Sequence, residues 1–205
     1  MRLGNRIKAL NQTLQSVAHW ATRIEKDGIS LRFLNLPKDD SGRFDGLTDP
    51  DQINELIYNI PIRGNTKLGT MLNRKVVQPL VQRAIRRKTT REKIKPRIIL
   101  IITDGEPEGE YENCLRDQIL EAKQGVLSEY GRAATIFIIT RVGTNPQAME
   151  FIESLSADDQ VGDLILSANT RLEEVIERLA SEEDKYGYQK YVSQLAATKR
   201  HIYCF

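Results

Sequence analysis

The chain has 205 residues, 40% of them hydrophobic, which is enough to bury one sizeable core within a single α/β domain. Its 30 basic and 28 acidic side chains nearly cancel to a formal net charge of +2, so no global field selects nucleic acid, a membrane surface or an acidic substrate. The only two cysteines, Cys114 and Cys204, fit neither a disulfide framework nor a zinc motif, and the expected location is a reducing compartment, the cytoplasm.

No window approaches the roughly 20 apolar residues that span a bilayer, and the N-terminal stretch lacks the apolar core of a secretory signal. Met1 to Ile24 carries Arg2, Arg6, Lys8 and Arg23 without an acid, a composition shared with mitochondrial presequences. The same stretch reads better as a fold helix. Ile7, Leu10, Leu14, Val17, Ala18, Ala21 and Ile24 recur at helical spacing, which predicts a long amphipathic helix from Arg6 to Lys26, ended by Asp27-Gly28.

Ile29 to Asn35 predicts a strand. A polar excursion follows through Pro37, Asp39, Asp40, Ser41 and Gly42, in which Arg43 to Leu47 can form a short edge strand. Thr48-Asp49-Pro50 opens a helix with a cap and a first-turn proline, and its apolar positions Ile53, Leu56, Ile57 and Ile60 run out at Pro61. The loop Gly64-Asn65-Thr66-Lys67-Leu68-Gly69 then leads into a helix from about Leu68 to Arg87.

Arg97 to Thr103 is a β-rich apolar run that ends abruptly in Asp104-Gly105. A helix through Leu115, Ile119, Ala122 and Val126 follows, then a strand from Ala134 to Thr140. Pro146 to Leu155 predicts a short helix, Asp163 to Leu166 a short strand, and Thr170 to Leu179 a helix with a capping box at Thr170 and Glu173. Tyr188, Tyr191, Val192 and Leu195 suggest a last helix before a frayed HIYCF end. The expected organisation is an α/β domain over residues 1–180 and a C-terminal helical tail over 181–205.

Strands separated by helices argue for a doubly wound, mostly parallel sheet with helices on both faces. Right-handed crossovers in such a sheet gather the C-terminal ends of the strands at one edge, where ligands bind. Thr66 and Asp104 are both expected there. A hydroxyl and a carboxylate from neighbouring loops suit a hard divalent ion such as Mg2+, which takes about six oxygen ligands, water among them.

With these residues the chain resembles a von Willebrand factor A domain, whose metal-ion-dependent adhesion site joins an Asp-x-Ser-x-Ser motif, a threonine loop and an aspartate loop. Thr66 in GNTKLG matches the threonine and Asp104 in ITDGEP the aspartate. The order of elements fits this Rossmann-like family over roughly Arg6 to Leu179, in a flavour similar to the intracellular A domains of filamentous fungi. The family's first, central strand, which ends in Asp-x-Ser-x-Ser, has no counterpart ahead of the first helix here. The resemblance therefore implies an N-terminally incomplete or degenerate copy, with Mg2+ bound weakly or not at all. Asp39-Asp40-Ser41-Gly42-Arg43 echoes the missing motif, but a polar turn explains it better.

Losing about five buried apolar side chains at roughly 1.5 to 3 kcal/mol each would remove stability comparable to that of a whole domain. Either Ile29 to Asn35 must pair directly with Arg97 to Thr103, or another segment must fill the gap.

The remaining signals weigh toward plain readings. Thr66 alone reads as a helix N-cap, and Asp104 alone as a strand-end turn residue. Glu106, Glu108 and Glu110 read as solvated loop acids. The basic run Arg86 to Arg97 can grip phosphates or an acidic protein, yet it has no aromatic for base stacking and reads as a solvated connection on the side opposite Thr66 and Asp104. His19 and His201 fall in no catalytic motif, and Cys114, near a helix start where a thiol pKa can be lowered, has no paired base.

The resemblance thus implies a non-enzymatic module that binds a protein, an acidic side chain of which completes the metal site, without nucleic-acid or membrane partners. Two alternatives remain: a Mg-dependent α/β enzyme or nucleotide binder using the same sheet edge, and a metal-independent scaffold.

Overall fold

Near-continuous burial along Arg97–Thr103 and Thr135–Arg141 sets the frame of the molecule, because both faces of these strands are covered. The computed structural model describes Gln15 and residues 27–37, 42–60, 64–90, 97–127, 135–167 and 201–204. The expected helices Arg6 to Lys26 and Thr170 to Leu179, and the helix near Tyr188, lie outside the described residues, apart from Gln15 itself.

The chain is mixed α/β. Its strands are β1 (Ser30–Leu31), β2 (Arg97–Thr103), β3 (Thr135–Arg141), β4 (Ile165–Ser167) and β5 (His201–Cys204), ordered β1-β5-β2-β3-β4 in one sheet. All four pairings are parallel. The longest runs from Arg97 opposite Thr135 to Thr103 opposite Arg141. The expected strands at Arg97 to Thr103 and Ala134 to Thr140 are thus found within a residue.

The gap beside β1 is filled from the far end of the chain. Tyr203 pairs with Ser30 on one side and Ile99 on the other, and Cys204 pairs with Leu31 and Leu100. The reading of HIYCF as a frayed end is therefore corrected: the edges of β1 and β2 each carry unpaired backbone groups, and four residues satisfy both. Direct pairing of Ile29 to Asn35 with β2 does not occur.

The strand expected over Ile29 to Asn35 is also shorter, only Ser30–Leu31. Beyond it the chain turns, with Leu36 N donating to Phe33 O at 3.4 Å, and Lys75 Nζ donates to the carbonyls of Phe33 and Leu36. The edge strand expected at Arg43 to Leu47 reduces to a 3-10 turn, Gly42–Phe44, and one antiparallel bridge between Ile29 and Leu47. Gly28, at φ 80°, permits this approach, since a Cβ there would lie 2.4 Å from Gly46 C.

The helices follow their caps. Asp49 accepts from Asp51 N and starts Pro50–Tyr58, and Asn145 accepts from Gln147 N and starts Pro146–Ser156. Leu68–Leu72 continues through a π turn, Asn73–Val77, into Gln78–Thr90, and Cys114–Ala122 continues into a second π turn, Lys123–Leu127. In the first turn Gln78 N bonds Asn73 O, five residues back, and Asn73 Nδ2 reaches across to Gln118 and, at 2.8 Å, Glu121.

Two apolar clusters lie on opposite faces of β2. Ile99 and Ile101 pack with Phe137, Ile139, Leu72, Val76, Leu115 and Ile119. Leu100, pointing the other way, packs against the cluster of Ile29, Leu31, Phe44, Leu47, Ile53 and Leu56. Among the described residues no helix is long and apolar enough to cross a membrane.

Candidate functional site

A parallel strand leaves its C-terminal end open to whatever loops follow, and β2 ends in Thr103. The Thr103 side chain, 2% exposed, is absorbed in the turn itself: its Oγ1 donates to Gly105 O at 2.8 Å and accepts from Gly105 N at 3.3 Å. Asp104 sits between these two residues, half-buried at the apex. Val142 N donates to Thr103 O at 2.8 Å, which holds the loop after β3 beside the same turn.

The loop then crosses to Thr66. Glu108 N donates to Thr66 O at 2.9 Å, and Leu68 N donates to the same carbonyl at 2.9 Å. The structure thus joins the Thr66 loop to the Asp104 loop through the backbone. Thr66 is half-buried, while Glu106 and Glu108 are exposed.

Two plain readings of these residues need correction. Thr66 does not cap the helix: the N-cap is Lys67, which makes no side-chain cap bond. The cap comes from Glu110, whose carboxylate accepts from Gly69 N, Thr70 N and Thr70 Oγ1, each at 2.8 Å. Glu110 is therefore a structural acid rather than a solvated one, placed where the orphan N–H groups and the helix dipole favour a negative charge. No local pattern announces it, because the bond spans 41 residues.

Cys114 is a packed helix residue at 4% exposure, as its plain reading expects. Burial pushes its thiol up from the ordinary range, opposite to activation by a helix start. Thr70 Oγ1 lies 3.7 Å from its Sγ. Gly69 lets the two helices meet here, since a Cβ on it would lie 2.5 Å from Leu115 N.

From the matched positions the two loops offer a divalent ion one hydroxyl and one carboxylate, so water would supply most of the about six oxygens that Mg2+ takes. The Glu110 carboxylate is already shared among three donors. Among the described residues no group of three His, Cys, Asp or Glu side chains could hold a metal ion. Asp39, Asp40 and Ser41, the echo of the missing motif, lie outside the described residues.

No family model matches the chain, and no curated protein or solved structure matches it either.

Proposed function

We propose that this chain is a non-enzymatic protein-interaction module of the von Willebrand factor A type, doubly wound and Rossmann-like, that offers the Thr66 and Asp104 loops to a protein partner in the cytoplasm. The observation that carries the reading is the bond from Glu108 N to Thr66 O, which ties the two loops together beyond the end of β2. The parallel order β1-β5-β2-β3-β4 supports it, because such a sheet gathers its strand ends at one edge.

The A-domain pattern puts Asp-x-Ser-x-Ser at the end of the strand between those corresponding to β1 and β2. Here that slot holds His201–Cys204, which contains neither Asp nor Ser. Metal-dependent binding is impaired for that reason, and contact rests on the loops themselves. An acidic partner group meant to complete an ion would meet exposed Glu106 and Glu108, so the loop edge favours a partner with basic side chains.

Affinity capture from a lysate, with and without chelator, tests this reading. The expected result is a protein retained in both conditions and lost with Thr66→Ala plus Asp104→Ala. Calorimetric titration with Mg2+ supplies the second arm, in which a micromolar site abolished by Asp104→Ala would overturn the impaired-metal reading. Mg2+-dependent phosphatase or nucleotide hydrolysis lost on Asp104→Ala would make the chain an enzyme instead.

A further inference from the structure

A second feature lies away from the Thr66 and Asp104 loops and does not depend on them. A cavity of about 1010 Å³ is bounded by β1, the chain just after it, the first π turn, the helix Gln78–Thr90 and the first residue of β2. Its volume sits at the upper end for small-molecule sites, roughly 300 to 1,000 Å³.

Among the described residues seven cationic side chains line it against two carboxylates, Asp27 and Asp45. Arg83, Arg86 and Arg87 project from one helix at spacings of three and four, so they share a face. Arg74 and Lys75 enter from the π turn, and Arg32 and Arg97 from the strands' flanks. Lys75 is engaged by the Phe33 and Leu36 carbonyls, and Arg32 pairs with Asp45 at 2.7 Å. Among the described lining residues Arg74, Arg83 and Arg86 add to that charge from exposed positions.

Two of these guanidiniums are deep. Arg97 is 4% exposed, and burial together with the charges of Arg83 and Arg87 lowers its pKa to about 10. Arg32 is 9% exposed and lines the cavity, and its buried Nε finds no hydrogen-bond partner among the described residues although Nη1 and Nη2 do. Gathering like charges around one concavity is costly in itself, and a multiply charged anion with several acceptor oxygens relieves it.

From this convergence we infer that the cavity binds a small anion carrying two or more phosphate groups, held by Arg83, Arg86 and Arg87 over the buried Arg32 and Arg97. Arginine suits the task, because its planar fork matches phosphate oxygens in pairs. The basic run thus contributes Arg86, Arg87 and Arg97 to a site rather than to a solvated connection.

Calorimetry with inorganic tripolyphosphate tests the inference on the full chain. Saturable binding that weakens with salt is expected, reduced about tenfold or more by Arg83→Gln plus Arg86→Gln. Both side chains are exposed, so the fold should survive, and circular dichroism verifies that; Arg74→Gln, also exposed, gives an independent arm with a smaller loss. Lys88→Gln, outside the cavity, and Asp104→Ala should leave affinity unchanged, which separates this site from the loop edge. No saturable binding, or binding indifferent to the paired substitution, overturns the inference. So does tight binding of a single-stranded oligonucleotide or a phosphoinositide vesicle that tripolyphosphate cannot displace, since the site would then belong to a macromolecule.

Discussion

Glu110 and Thr70 are joined twice across 40 residues of sequence: the Thr70 backbone N and its Oγ1 both donate to Glu110 Oε2 at 2.8 Å. With Gly69 N on the other carboxylate oxygen, the loop after β2 is fastened to the first turn of the helix that follows Thr66. The relationship couples stability to the loop edge, because the same acid that caps the helix fixes the segment carrying Asp104.

Replacing Glu110 by Ala removes a cap and leaves N–H groups without their acceptor. The expected loss is about 1 to 2 kcal/mol in urea unfolding. Glu110→Gln should recover part of it, since an amide oxygen still accepts but the charge that complements the helix dipole is gone. Equal stability of all three proteins would show that the cap contributes nothing.

Gly69→Ala probes the closest approach of the two helices. An added Cβ would sit 2.5 Å from Leu115 N and 2.6 Å from Cys114 C, both backbone atoms that cannot rotate away. Overpacking of this kind costs about 1 to 3 kcal/mol, even though alanine is the better helix former. A variant at least as stable as the wild type in the same urea titration would contradict the packing geometry.

Much of this frame was legible from periodicity. β2 falls where the apolar run Arg97 to Thr103 predicts it, and Asp49-Pro50 and Asn145-Pro146 start helices because cap and proline act within a few residues. What was not legible acts over distance. Nothing near Glu110 reports the helix it caps, and nothing in HIYC reports that two strand edges lie open far upstream. The π turn at Asn73–Val77 carries ordinary helical periodicity, so its distortion, tied to Asn73 reaching Gln118 and Glu121, is invisible to a pattern of apolar spacing. Of the candidate site, the neighbourhood of the Thr66 and Asp104 loops was foreseen, whereas Thr66's capping role was not.

The pairing of Arg116 with Asp158 makes stability depend on acid. Arg116 Nε donates to Asp158 Oδ2 at 2.7 Å, and the backbone N–H groups of Gln160 and Val161 donate to Oδ1. The Arg116 hydrogen bond, followed by the Gln160 N–H, holds the Asp158 carboxyl below its ordinary range. A depressed carboxylate stabilises the fold above its unfolded pKa, about 3.9, and the contribution disappears as pH falls below that value through the folded one. The stability difference between wild type and Asp158→Asn, measured by unfolding across pH 2 to 6 (an interval of about 4 units around that ordinary value), should therefore be present at the upper end and shrink on acidification. A difference that does not change with pH removes the ionised carboxylate as its cause.

The strand His201–Cys204 gives the most exacting test of the sheet. Tyr203 is paired on both sides, with Ser30 and with Ile99, so its backbone occupies an interior position in the sheet. Proline there removes a donor and forces its ring into a central parallel strand, where proline is not tolerated. The expected loss for Tyr203→Pro is about 3 kcal/mol or more, against little change for Tyr203→Val, which keeps both backbone groups and a residue type that favours strands. Hydrogen exchange adds a local readout. Amides of β1 and of Ile98 to Leu100 should lose protection in the proline variant before those of β3, because β3 keeps its pairing with Arg97 to Thr103 and with β4. If Tyr203→Pro unfolds at the wild-type denaturant concentration and exchanges alike throughout, β1 and β2 do not rely on the C-terminal strand, and the order β1-β5-β2-β3-β4 does not describe the sheet in solution.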